Sequence, residues 1–195
     1  MGDGQRTAPY AALRGRLAAL LPLERIVTDP LRRLAYGTDA SFYRLVPQIV
    51  VVVESEDEVR QVVAACRDLR LPLTFRAAGT SLSGQAITDS VLVLLGDSWR
   101  GCDIRPGAET VRLQPGLIGA AANRKLAHFG RKIGPDPASI DAAMIGGIAA
   151  NNASGMCCGT AQNSSGSTPP TDRTRQIATA SCRQKVYITV DALSL

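Results

Sequence analysis

The sequence predicts an α+β fold: a small mixed sheet flanked by helices, followed by a second α/β lobe. Three observations carry that prediction. Ile49–Val53 is a β-branched apolar run, the pattern of a strand buried on both faces. Ser55-Glu56-Asp57-Glu58 then forms a capping box, in which the Ser55 hydroxyl accepts from the Glu58 amide while Glu58 reaches back. Behind it Val59, Val62, Val63, Cys66 and Leu69 fall on one stripe, so 56–70 reads as an amphipathic helix. Pro72 ends that helix and Leu73–Phe75 forms a second strand, which completes a β-α-β unit.

The remaining elements follow in order. Residues 8–21 read as an amphipathic helix stopped by Pro22. A short helix starts at Asp29–Pro30, an N-cap followed by proline at the first helical position, and Gly37–Asp39 breaks the pattern. Val91–Leu95 is another apolar strand, and Thr110–Gln114 turns Val111 and Leu113 inward as a half-buried strand does. Pro115–Gly116 leads into a helix over 117–128, with Gly130 near its C-terminal cap. Gly134–Gly159 carries five glycines in 26 residues, plus Asn151-Asn152, a composition suited to backbone wrapped closely around something. Residues 165–195 hold nine Ser or Thr, two adjacent prolines and one strand-like run, Val186–Val190.

The totals bound the function. The chain has 195 residues, enough for one domain or one and a half, and is 45% hydrophobic and 20% charged, which supports a packed core. Aromatics are only 4%, so small aliphatic side chains must fill that core. A formal charge of +5 and a pI near 9.2 suit either an ordinary soluble surface or an anionic ligand. The basic residues are scattered without a stripe interleaved with aromatics, which argues against nucleic acid. Residues 1–21 lack the apolar core and cleavage site of a signal peptide, and no run approaches the roughly 20 apolar residues of a membrane span. Cys66, Cys102, Cys157, Cys158 and Cys182 are odd in number and lack CxxC spacing. That excludes a disulfide framework and a zinc site, and points to a reduced, cytoplasmic setting.

Arg76-Ala77-Ala78-Gly79-Thr80-Ser81-Leu82-Ser83-Gly84-Gln85-Ala86 directly follows a strand. Small residues let backbone amides converge, Thr80, Ser81 and Ser83 add hydroxyls, and Arg76 adds a cation, which together suit a diphosphate. A tight surface turn that uses glycine for its backbone angles alone would have the same composition. The glycine spacing is that of a P-loop, but Gln85-Ala86 stands where lysine and a hydroxyl belong, so an NTPase is excluded. No GxGxxG follows a strand, so a Rossmann site is unsupported.

Two further segments complete a recognisable set: Gly134-Pro135-Asp136-Pro137-Ala138-Ser139, where Asp136 could bond locally in a proline-bracketed turn, and Ile145-Gly146-Gly147-Ile148-Ala149-Ala150-Asn151-Asn152-Ala153-Ser154-Gly155. With the loop at Arg76–Gln85, they resemble the FAD-binding domain of the para-cresol methylhydroxylase and vanillyl-alcohol oxidase superfamily. The likeness is greatest to its D-lactate dehydrogenase and glycolate oxidase branch, particularly large bacterial members that carry an iron–sulfur domain. It covers roughly residues 30–164 and implies a two-lobed FAD-binding domain of that type, with FAD between the lobes and the second lobe incomplete.

The resemblance implies the following roles. The amides of Gly79, Thr80, Ser81 and Leu82 would bind the diphosphate, with Ser83, Gly84 and Gln85 beside the ribityl chain. Pro135, Asp136 and Ser139 would pass near the isoalloxazine, and Gly146, Gly147, Asn151, Asn152, Ala153 and Gly155 would line the cofactor from the other side. Some relatives attach FAD to a histidine in the first loop; Thr80-Ser81 stands there instead, so non-covalent FAD is expected. His128, the sole histidine, is expected at a helix end, capping it or facing water, with no catalytic or flavin-attaching role. Cys66 is expected in the core, Trp99 is read as structural, and Cys157-Cys158 reads as packing rather than as a redox pair.

The implied activity is oxidation of a 2-hydroxy acid such as D-lactate or glycolate, with the hydride passing to the flavin. An iron–sulfur domain or a respiratory electron acceptor would be the partner in the intact enzyme, placed in the cytoplasm and peripheral to the inner membrane. Substrate-binding and catalytic groups in this superfamily come from a following domain, so no catalytic residue is assigned. The expected organisation is a helical extension over 1–29, the FAD-binding domain over 30–164, and a divergent or frame-shifted tail over 165–195. The alternative reading is a non-catalytic, truncated flavin- or nucleotide-binding fragment.

Overall fold

The computed structural model describes residues 3–153, 155 and 188–194, and the chain divides into two units, Met1–Gly96 and Asp97–Leu195. The two lobes expected of the fold correspond to these units.

The first unit is built on β2 (Ile49–Val53), in which Ile49, Val50, Val51 and Val53 are wholly buried. With β1 (Ile26–Val27), β3 (Leu73–Arg76) and β4 (Val91–Leu95) it forms a sheet of order β1-β2-β4-β3. β1 runs antiparallel to β2, while β2, β4 and β3 are mutually parallel, with Ile49 opposite Val91 and Leu73 opposite the same residue on the other side. β4 is thus inserted between the two strands of the β-α-β unit, so the crossover spans it.

Two helices cover one face of that sheet. α1 (Asp3–Ala18) starts five residues before the expected helix and runs through Pro9. It buries Leu13 and Leu17 completely against Ile49, Val51 and Val93, together with Val62 and Cys66 of α3 (Glu56–Asp68). α2 (Pro30–Ala35) has the expected cap, the Asp29 carboxylate accepting from Arg32 N–H at 2.8 Å, and Tyr36 beyond it packs with Val27, Val50 and Leu92.

The α3 capping box forms as expected and reaches one residue further. Ser55 Oγ accepts from Glu58 N–H, and the Glu58 carboxylate is held by the Ser55 backbone amide and by Glu54 N–H, the latter at 2.6 Å. Its oxygens also take a two-point pair from Arg25, at 2.8 and 2.9 Å. Burial alone would raise the Glu58 pKa, but the Arg25 pair and the backbone donors outweigh it and hold the carboxyl below its usual range.

The second unit holds an antiparallel sheet of order β5-β6-β8-β7: β5 (Cys102–Ile104), β6 (Thr110–Leu113), β7 (Arg131–Ile133) and β8 (Ile188–Ser194). Val111 and Leu113 point inward as the alternation predicts. They pack with Ala122 and Leu126 of α4 (Gly119–Ala127) and with Ile145 and Ile148 of α5 (Ile145–Ala150). Gly130, with φ +63°, lies just past α4 in the left-handed conformation that favours glycine. Residues 188–190 of the strand expected at Val186–Val190 belong to β8, which runs on to Ser194 and lies between β6 and β7; residues 186 and 187 lie outside the described residues. Trp99 is buried, as is Cys66 in the first unit.

Candidate functional site

In the first unit the loop Arg76–Ala86 leaves the end of β3. Gly79 and Gly84 both have positive φ, +73° and +70°, so each bends the chain in a way that penalises any side chain. Between them the backbone N–H groups of Gly79, Thr80, Ser81 and Leu82 donate to no acceptor among the described residues. The loop is half-buried to exposed here, so these donors are left to water or to a ligand, and a run of free amides bounded by two left-handed glycines is chemically suited to an anion. The donor set fits a diphosphate.

The side chains of the loop mostly hold the loop itself. Ser81 Oγ donates to Gln85 Oε1 at 3.0 Å and accepts from the N–H of Ser83 at 3.2 Å and of Gln85 at 3.4 Å. Thus Ser81 and Gln85 tie the turn, while Leu82 and Ser83 sit exposed at its tip. Arg76 turns back rather than outward: Nη1 donates to the carbonyls of Thr38 at 2.7 Å and Tyr36 at 3.3 Å. Its guanidinium lies against Gly79, so its charge stays beside the cradle while its geometry is set by protein carbonyls.

In the second unit the Gly134–Ser139 turn meets the chain beyond α5, at Gly155. Gly134 and Pro135 are buried; Pro137 O accepts from Ile140 N–H at 2.9 Å, and in the turn that follows Ser139 O accepts from the N–H of Ala142 and Ala143. The nearest charged partner of Asp136 is Lys132 Nζ, at 3.9 Å. A Cβ at Gly155 would run into the Asp136 carbonyl, so glycine lets these two segments touch. Gly146 and Gly147 open α5 as expected, and Gly146 is pressed on Pro115, its N–H donating to Pro115 O at 2.8 Å.

Asn151 and Asn152 terminate α5. Asn152 takes φ +47°, and Ala153 N–H reaches back to Ile148 O at 2.9 Å, the six-residue closure of a Schellman turn. Asparagine tolerates that conformation better than other side-chain-bearing residues, which explains its presence by helix termination. Ser154 and Cys157-Cys158 lie outside the described residues. His128 is exposed at the α4 C-cap.

One element of the loop's surroundings was not singled out from the sequence. The hairpin 38–44, read only as a break after α2, touches the loop at several points, through Asp39, Ala40 and Tyr43. The signal available was the turn-forming Gly37-Thr38-Asp39, which says nothing of a partner 40 residues away.

The profile of a family described as FAD binding domain matches residues 47–167. Glycolate oxidase subunit GlcD of Escherichia coli strain K12 is 35% identical over 159 residues, covering 80% of this chain and 31% of that protein. D-2-hydroxyglutarate dehydrogenase of the same strain is 32% identical over 128 residues, covering 64% of this chain and 13% of the other. The chain therefore spans a third or less of these relatives. A solved structure of p-cresol methylhydroxylase with substrate bound superposes with a TM-score of 0.72 at 12% identity, covering 96% of this chain and 44% of that one, a likeness of fold.

Proposed function

This chain belongs to the FAD binding domain family, and on that premise we propose that it holds FAD non-covalently as part of an oxidoreductase acting on a 2-hydroxy acid. The observation that carries the reading is the unengaged run of amides at Gly79–Leu82 between two left-handed glycines. In this reading those four amides hold the diphosphate, Arg76 adds charge from behind, and Ser83, Gly84 and Gln85 flank the ribityl chain. Pro135, Asp136 and Ser139 pass near the isoalloxazine, and Gly146, Gly147, Asn151, Asn152, Ala153 and Gly155 line the cofactor. Non-covalent attachment follows from Thr80-Ser81, since neither side chain is a customary flavin anchor.

FAD, when bound, supplies the hydride acceptor. The chain's own contribution is to bind and orient: amides preset toward an anion lose little entropy on binding, and backbone donors carry no charge of their own to be desolvated. The substrate class is a D-lactate- or glycolate-type hydroxy acid; both relatives are named for 2-hydroxy acids, which supports it. We assign the FAD-binding part to residues 30–164 and no residue to catalysis. An iron–sulfur domain or a respiratory acceptor takes the electrons in the intact enzyme, in the cytoplasm at the inner membrane. Among the described residues no helix is long and apolar enough to cross a membrane.

The test is the visible absorption spectrum of the purified chain after addition of FAD and removal of the excess. Retained flavin that is lost on Gly79→Asp or Ser81→Trp supports the loop assignment. Folded protein that retains none would reject cofactor binding by this chain.

A further inference from the structure

The hairpin that begins at Thr38 is closed by a bridge between Thr38 and Arg44 and lies against the diphosphate loop at both of its ends. At the start of the loop, Ala40 N–H donates to Gly79 O at 3.0 Å, and Arg76 Nη1 donates to Thr38 O at 2.7 Å. At the far end, Asp39 Oδ2 accepts from Ala86 N–H at 3.3 Å, while Oδ1 accepts from Ser41 N–H at 2.9 Å within the hairpin. The ring of Tyr43 sits beneath Gly84, where a Cβ would come within 2.9 Å of it. Both left-handed glycines are therefore held from the same side by one short segment.

We propose that this hairpin, anchored by Asp39, positions the diphosphate loop, holding Gly79 and Gly84 so that the amides between them stay turned toward an anion. The inference rests on the reading of the loop as an FAD site. Aspartate suits the post because its two oxygens reach two separate segments; asparagine has one acceptor and can keep only one of those bonds. A carboxylate beside an anion site should oppose binding, and this sets the positioning role apart from a charge effect. Burial favours the neutral form of Asp39, but the Ser41 and Ala86 donors and the Arg76 charge outweigh it, so the group stays ionised below the usual carboxylate range.

The experiment is titration of FAD by flavin fluorescence on the full chain and on Asp39→Asn and Tyr43→Ala, with the thermal midpoint of each FAD-free protein measured alongside. Positioning predicts that Asp39→Asn weakens FAD binding about tenfold, the scale of one charge-assisted hydrogen bond, with the FAD-free midpoint little moved. Tyr43→Ala should weaken binding severalfold without unfolding, since that ring is half exposed; it decides the matter alone if Asp39→Asn does not fold. Unchanged or tighter binding in the folded variants overturns the proposal, as does a loss of affinity matched by an equal loss of stability. Wild-type protein that takes up no FAD removes the functional reading and this inference together.

Discussion

The guanidinium of Arg76 lies directly against Gly79, so that a Cβ at residue 79 would fall 2.6 Å from both Nε and Nη2. Glycine is therefore required there twice over, for its φ of +73° and for the space the arginine occupies. Gly79→Ala should cost about 1–2 kcal/mol in loop conformation, more if Arg76 cannot retreat from the carbonyls of Tyr36 and Thr38. We expect FAD affinity to fall at least about tenfold by fluorescence titration. Binding at the wild-type level would mean that the conformation of this loop does not govern the cofactor.

The Arg25–Glu58 pair ties the segment before β1 to the first turn of α3. Glu58→Gln should lower stability by about 1–3 kcal/mol at pH 7, the range for charge-assisted hydrogen bonds in partly buried positions. Because the folded-state pKa of Glu58 is depressed, its contribution is complete above the unfolded value near 4.3 and disappears as pH falls through the folded one. Urea midpoints of wild type and variant should therefore begin to converge as pH falls below the unfolded value and meet once it has passed the folded one. A gap that persists undiminished at pH 2.5 would assign the effect to packing instead.

Arg70 closes α3 in the left-handed region, φ 54°, with its own N–H on Arg67 O and Leu71 N–H on Cys66 O. This is a Schellman turn with arginine where glycine is preferred. Arg70→Gly should stabilise the protein by about 0.5–1 kcal/mol, relief of strain exceeding the added freedom of the unfolded chain. Denaturant titration checks it, and a destabilised variant would show that the arginine side chain contributes more than its backbone costs.

Cys66 is wholly surrounded by the core, and burial pushes its thiol up to about 11. Only the thiolate is nucleophilic, so iodoacetamide at pH 8 should leave Cys66 unmodified in native protein and label it after unfolding in guanidinium. Peptide mass mapping distinguishes the two. Rapid labelling under native conditions would indicate that α3 opens locally.

Much of this molecule follows from short stretches of chain. The Ile49–Val53 strand, the Asp29-Pro30 and Ser55 helix starts, and the inward pair Val111 and Leu113 depend on neighbours within a turn or on alternation along one strand. The glycines at 79 and 84 likewise announce left-handed backbone before any partner is known. Tertiary structure decided what the groups left over from that local order would meet. β4 entered between β2 and β3 because parallel strands need no contiguity in sequence to share hydrogen bonds. Arg76 was drawn to the carbonyls of Tyr36 and Thr38, Glu58 to Arg25 and the Glu54 amide, and Asp39 to Ala86. Each of these is a polar group seeking a partner tens of residues away or one step outside its expected motif. Hydrophobic periodicity registers which face a residue turns inward, but carries no record of which distant donor or acceptor will be waiting there.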